Sequence, residues 1–267
     1  MQPQLFGILN ITEDSFSDGG RFLAPEAARA QAEKLIANGA EALDVGAASS
    51  NVNSIPVPPE VEIARLEPII AFLKERGIPI SIDSYATAVQ SWALNQGVDY
   101  LNDIHGFADP VLYPKLAASG AKLIVMHAVQ ESGPATRVDT DPARIMEQIF
   151  SFFDQRLSAL HKAGIARERI ILDPGMGQFL GRDPEVSLTV LRRLPDMAEA
   201  FGLPILISVS RKGFLRRLTG RPVSEIGPAT LAAELFAALS GADMVRTHDP
   251  GALRDVLTIW RALSPRP

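Results

Sequence analysis

The chain contains no cysteine, which removes disulfides, thiolate metal sites and cysteine nucleophiles together. Only 4 histidines occur in 267 residues, too few to favour a histidine-rich zinc site. Cationic excess is also missing. With 26 Lys and Arg against 31 Asp and Glu, the net charge is −5, and no overall field holds nucleic acid. No apolar run approaches the ~18 residues of a membrane span. Met1-Gln2-Pro3-Gln4-Leu5-Phe6-Gly7 lacks the basic and long apolar parts of a secretory signal. The expectation is a cytoplasmic enzyme or binding protein without membrane or nucleic-acid partners. What is present is globular: 46% hydrophobic and 21% charged residues, in a length that suits one large domain or two small ones.

One local pattern recurs: a helical stretch, a glycine, a short apolar run, then a polar residue. The glycines are Gly39, Gly77, Gly97, Gly120, Gly164, Gly202 and Gly241. Each reads as a helix-terminating residue, because glycine takes the left-handed backbone conformation without a Cβ penalty. The runs after them are 42–44, 80–83, 100–103, 123–127, 170–173, 205–210 and 244–246. They are near-continuously apolar, as strands buried on both faces should be. Between them, Ile63, Leu66, Ile70 and Leu73 mark a helical stripe over 61–74, with Pro68 admitting a kink or break. Residues 158–160 and 231–236 read as further helices. With an opening strand at 5–9, the count is eight strands, and eight βα units in about 250 residues fit a TIM (β/α)8 barrel. An open doubly wound sheet is the alternative, but it normally carries phosphate-binding glycines after its first strand, and no GxGxxG or P-loop occurs. No linker or composition shift divides 1–267, so the chain reads as a single α/β domain.

In such barrels chemistry sits at the C-terminal ends of the strands. Those ends carry Asn10, Asp44, Asp83, Asn102, Asp103, His127, Asp173, Ser210-Arg211-Lys212, Arg246 and His248. Any one of these acids or amides taken alone could cap a helix or form an Asx turn. Together with three cations they are costly unless a ligand meets them. Asp83, Asn102 and Asp173 suit the N–H edge of a heterocycle, whereas Arg246, His248 and Lys212 suit phosphate oxygens. The expected ligand therefore has a polar ring and a phosphate group. The loop after the first strand, residues 10–20, reads either as a surface connector leading to a helix near Pro25 or as a lid. In the second case Thr12, Asp14 and Ser15 would close over the ligand with Phe16 as apolar contact. His127 is expected to be structural support, and His105 a loop residue.

Asn10-Ile11-Thr12-Glu13-Asp14-Ser15-Phe16-Ser17-Asp18-Gly19-Gly20 closely resembles the opening signature of the dihydropteroate synthase family. Asp173-Pro174-Gly175-Met176-Gly177, Ser210-Arg211-Lys212 and Arg246-Thr247-His248 resemble its later motifs, in the same order. The resemblance covers residues 5–262 and implies a homodimeric TIM barrel of folate biosynthesis. Such an enzyme joins 6-hydroxymethyl-7,8-dihydropterin diphosphate to p-aminobenzoate and releases diphosphate with Mg²⁺. By the same resemblance Asn10 is the Mg²⁺-linked residue, and Asp83, Asn102, Asp173 and Lys212 hold the pterin against Met126. Arg246 and His248 bind diphosphate, Asp44 lies near the reacting centre, and Asp83, Lys212, Arg246 and His248 carry the catalysis. An uncharged arylamine is already a nucleophile, so positioning and electrostatics suffice: Asp83 steadies a cation-like ring while the cations meet the leaving group. Two alternatives are a pterin-dependent methyltransferase and a non-catalytic pterin-binding homologue. The first has no need of the lid motif or of Arg246 with His248.

Three stretches depart from the family pattern. Ala47-Ala48-Ser49-Ser50-Asn51 stands where Glu-Ser-Thr-Arg-Pro-Gly is usual; Ser50 can replace the threonine hydroxyl, but Asn51 lacks the arginine charge. Gly177-Gln178-Phe179-Leu180-Gly181 replaces Gly-Phe-Gly-Lys, and Gly213 follows Ser-Arg-Lys in place of serine. The resemblance puts all three around p-aminobenzoate, with Ser49, Ser50 and Phe179 as contacts. They resemble the sulfonamide-insensitive branch, although that branch carries phenylalanine where this chain has Gln178. The expectation is sulfonamide tolerance, with the bulk of Phe179 excluding the longer drug.

Overall fold

The computed structural model describes residues 2–12, 25–50, 54–130 and 138–264. Its first half runs β1 (Gln4–Asn10), α1 (Pro25–Ala37), β2 (Ala42–Gly46), α2 (Pro59–Arg76), β3 (Ile80–Asp83), α3 (Thr87–Asn95), β4 (Tyr100–Asp103) and α4 (Tyr113–Ala118). The second half opens with β5 (Lys122–Met126), α5 (Ile145–Lys162), β6 (Ile170–Asp173), α6 (Pro184–Arg192) and α7 (Leu194–Phe201). It closes with β7 (Leu206–Ile207), α8 (Gly213–Thr219), α9 (Gly227–Leu239), β8 (Met244–Thr247) and α10 (Pro250–Leu263). The strands pair in parallel in the order β6-β5-β4-β3-β2-β1-β8-β7. A parallel bridge between Leu172 and Ile205 joins the two ends, helped by the Leu172 N–H donating to the Pro204 carbonyl at 2.8 Å. This is the expected TIM barrel, with two helices in the crossovers before β7 and β8. No helix among the described residues is long and apolar enough to cross a membrane.

Strand periodicity decides what enters the barrel. Phe6, Ala42, Tyr100, Ile124, Ile171, Leu206 and Met244 form one closed apolar cluster, which plugs the interior at the N-terminal end. Two residues further along β2, β4, β6 and β8 the interior turns polar, at Asp44, Asn102, Asp173 and Arg246, and Ser81 of β3 lies in register beside Asp44. The alternate positions Leu5, Leu43, Ile82, Leu101, Val125, Leu172 and Val245 belong to the main core between barrel and helices.

Several expectations need correction. Helix α2 runs unbroken through Pro68; Leu66, Ile69, Ile70 and Leu73, all buried, hold both halves on the barrel against the lost backbone hydrogen bond. Six of the seven glycines have positive φ, but Gly120 does not, because α4 ends at an extended Ser119. The sixth run, 205–210, is strand only at Leu206–Ile207, after which Val209 and Lys212 close a turn through a 3.1 Å backbone hydrogen bond.

Candidate active site

The polar layer is organised around Arg246. Its Nε donates to Asp44 Oδ2, and its Nη2 donates to Asp83 Oδ2 at 2.7 Å, so one guanidinium ties two carboxylates at the ends of β2 and β3. Its side chain is only 12% exposed, which makes this a shielded ion pair rather than a solvated one. Asp44 is fully buried and also accepts from Ser81 Oγ at 2.5 Å and Asn102 Nδ2 at 3.2 Å. Asn102 is thereby oriented, but its own Oδ1 is buried without a partner. A buried acceptor left open beside a cleft is costly and points to a donor supplied from outside.

Electrostatics follow from that enclosure. Burial pushes the Asp83 carboxyl up to about 7, with Arg246 pulling it down and Asp44 pushing it further up. Burial also raises Asp173 to about 6, opposed by the Gly175 N–H, which donates to its Oδ1 at 2.8 Å. Lys212 is lowered to about 8 by burial and the Arg246 charge. His248 is lowered to about 3 by burial first and then by Arg211, Arg246 and Lys212. This corrects the reading of His248 as a cation: at neutral pH it is an uncharged ring, and Arg246 and Lys212 carry the positive charge. Its Nδ1 lies 2.9 Å from Ser210 Oγ, which also accepts from the His248 backbone N–H at 3.2 Å.

Two residues at strand ends are builders rather than site groups. Asp103 points away from Asn102 and accepts from the backbone N–H groups of His105 and Phe107 at 2.8 and 2.9 Å. His127 is buried, lowered to about 4, with Nδ1 3.1 Å from the Pro174 carbonyl and its ring 5.2 Å from that of Phe152. Gly175 lies against it: at φ 74°, a Cβ there would sit 2.2 Å from the His127 carbonyl oxygen. Gly175→Ala should therefore destabilise the protein by more than about 2 kcal/mol and displace Asp173. Urea unfolding checks this, and an unchanged midpoint would contradict it.

Above the polar layer opens a cleft of about 610 Å³ lined by Asn10, Asp83, Lys212, Arg246 and His248, with Thr12, Ser49, Ser50 and Phe179 further out. A neighbouring cleft of about 430 Å³ shares Asn10, Arg211 and His248. Asp44, Asn102, Asp173 and Met126 lie beneath. Met126, Ile104 and Phe179 form a small apolar cluster separate from the main core, which through Phe179 gives the cleft one apolar wall. Phe179 is 4% exposed, and the Lys212 ammonium lies 4.8 Å from its ring centre. Its bulk is therefore built into that wall. Asp14, Ser15, Phe16 and Asn51 lie outside the described residues.

A polar floor with an open acceptor, a cationic corner and an apolar wall suit a flat nitrogen ring carrying an anionic group. The model of the pterin-binding enzyme family matches residues 6–248. Dihydropteroate synthase type-2 of Escherichia coli is 57% identical over 259 residues, covering 97% of this chain and 95% of that protein. The chain belongs to the dihydropteroate synthase family. Type-3 of E. coli is 50% identical over 260 residues, covering 97% of this chain and 99% of that protein. Among solved structures, Xanthomonas albilineans dihydropteroate synthase with 4-aminobenzoic acid has a TM-score of 0.90 at 33% identity, covering 100% of this chain and 94% of that one. The same enzyme in complex with 7,8-dihydropteroate has a TM-score of 0.86. Dihydropteroate synthases are transferases of folate biosynthesis.

Within this dihydropteroate synthase fold, sequence reasoning passed over two residues that shape the site. Ser81 faces inward two positions before Asp83, a polar residue inside an apolar strand, and that was its signal. Glu234 stands alone among Leu231, Ala232, Ala233, Leu235 and Phe236, and is fully buried beside Ser210 and Thr247. Metal donors are sparse: no group of three or more His, Asp or Glu among the described residues is placed to hold an ion. Asn10 offers one amide oxygen, across Gly46 from Asp83, with no side chain between them. That fits a magnesium ion that keeps most of its water and is shared with a substrate phosphate.

Proposed function

We propose that the protein condenses 6-hydroxymethyl-7,8-dihydropterin diphosphate with p-aminobenzoate to 7,8-dihydropteroate, releasing diphosphate. What carries this reading is the open Asn102 acceptor, on a floor whose Asp44 and Asp83 carboxyls Arg246 ties together. The pterin lies against Met126 with its N–H edge on Asp83, Asn102 and Asp173. Its diphosphate faces Lys212, Arg246 and His248, where neutral His248 contributes a hydrogen bond rather than charge. Asn10 would hold Mg²⁺, which when bound would supply charge neutralisation at the diphosphate.

Breaking the methylene C–O bond sends its electron pair to diphosphate and leaves a cation spread over the ring. The Asp83 carboxylate steadies that cation, in a setting too dry to screen it. The arylamine lone pair then forms the C–N bond, and its proton passes to solvent or diphosphate. No strong base is needed, and Ser49, Ser50 and Phe179 border the space the arylamine enters. The test is diphosphate release with both substrates and Mg²⁺. Turnover is expected, and pterin binding without release would replace the enzyme with a binding protein.

The arylamine side supports sulfonamide tolerance: the Ala-Ser-Ser loop and the Phe179 wall replace the family's charged and small residues there. Inhibition by sulfamethoxazole should need roughly tenfold or more inhibitor above the p-aminobenzoate KM, the scale on which one misfitting contact discriminates. A constant at or below that KM would end the idea. A cytoplasmic homodimer is the assembly we infer. Phe236 and Leu239 on α9, with Ile259, Trp260 and Leu263 on the adjacent α10, leave apolar surface exposed for a second copy.

A further inference from the structure

Glu234 is a carboxyl with no evident structural duty. It is fully buried on α9, and neither oxygen makes a hydrogen bond of good geometry. The hydroxyls of Ser210 and Thr247 nevertheless face it closely enough to favour its charged form, as Arg211 does, while burial and Asp249 oppose it. Ser210 is the same residue whose Oγ meets His248 at both Nδ1 and the backbone N–H. Ser210 thus stands between Glu234 on the helix layer and a ring that borders both clefts.

A serine hydroxyl has one proton and two lone pairs. The His248 N–H occupies one lone pair, so two arrangements remain. If the hydroxyl donates to Nδ1, the ring proton sits on Nε2 and can be offered to an anion. If it donates to an ionised Glu234, it must accept from Nδ1–H, and Nε2 presents a lone pair that repels phosphate oxygens. A protonated Glu234 favours the first, since it can itself donate to the second lone pair of Ser210. The wrong tautomer at such a position is a known way to lose catalysis without losing geometry.

We propose that Glu234 is a positioning residue that acts through Ser210 to set the tautomer of His248, keeping an N–H at Nε2 for the departing diphosphate. The diphosphate part rests on the proposed function; the tautomer part does not. Burial raises the Glu234 carboxyl to about 7, so the switch falls within the working pH range. Arg211, Arg246 and Lys212 face His248 and keep it uncharged across that range.

The experiment is ¹⁵N NMR of His248 in the full chain from pH 6 to 8, with kcat/KM for pterin diphosphate measured alongside. Wild type should move from the Nε2–H toward the Nδ1–H tautomer as pH rises. Glu234→Gln, which can always donate, should hold Nε2–H throughout and keep its activity at high pH. Glu234→Ala should show mixed tautomers and about tenfold lower kcat/KM, the size of one lost hydrogen bond to a charged group. Binding of the pterin without diphosphate should stay unchanged. Asp83 also titrates near this range, but it is common to all variants and cancels in the comparison. If Glu234→Ala fails to fold, Ser210→Ala serves: it should abolish the pH response with Glu234 still present. Identical His248 spectra in wild type and Glu234→Gln would overturn the proposal, even in an active enzyme. The expected spectra without any turnover would instead overturn the function assigned to the site.

Discussion

Arg246→Leu should leave the protein barely folded and without measurable turnover. The guanidinium is the partner of two carboxylates, and leucine leaves Asp44 fully buried and uncompensated. Breaking a buried pair from one side costs about 3–5 kcal/mol. Asp83 loses the largest influence holding its pKa down and should move above its present value of about 7. At neutral pH it would then be protonated and unable to steady a ring cation. Losing that electrostatic contact, together with one to the leaving group, should lower kcat/KM at least ~10³-fold.

The pH dependence has a definite sign. The folded pKa of Asp83 lies above its unfolded value of 3.8, so the native state holds the extra proton between them. Its stabilising contribution is full below 3.8 and is lost as pH rises through about 7. Without Arg246 the loss should be larger and extend further, making the variant most fragile in mild alkali. Urea titrations at pH 5 and pH 8 with kcat/KM measurements check this. A variant as stable as wild type at both pH values and within tenfold in rate would show that Arg246 does not organise the floor.

Asp173→Asn should separate binding from folding. The amide has nearly the same shape and can still accept from the Gly175 N–H, so the melting temperature should move by only a few degrees. Its other end becomes a donor facing the N–H edge of the ring, where two donors now meet. Pterin affinity and kcat/KM should fall together by roughly 10–150-fold, the value of a hydrogen bond to a charged group. Titration calorimetry with a pterin reads this directly, and an unchanged Kd would remove Asp173 from the binding set. Its raised pKa of about 6 adds a check, since wild-type binding should weaken as that carboxyl is protonated below pH 6.

The barrel and most of its mouth were legible because both are written in local spacing. The glycine before each apolar run located the strands, and the polar residue after each run located the mouth. Reading failed where spacing alone does not decide. Asn102 and Asp103 are adjacent, and only the pleat of β4 sends one inward and the other into a turn. The charge of His248 depends first on its burial and then on three cations packed around it, which no sequence pattern records. Glu234 was invisible for a similar reason: it is 24 positions from Ser210, on a helix, and only the β7–β8 crossover brings the two together. The surroundings of Phe179 were not legible because its neighbours, Ile104 and Met126, come from two other strand ends.

The apolar plug formed by Phe6, Tyr100, Met244 and their neighbours makes the barrel a vessel with a single neck. Whatever enters must come out the way it went in. On the proposed reading the ring that rests on the floor has to be loaded before the arylamine that sits nearer the rim. The spent diphosphate and the finished product then queue for the same exit, so departure can set the pace even when bond-making is fast.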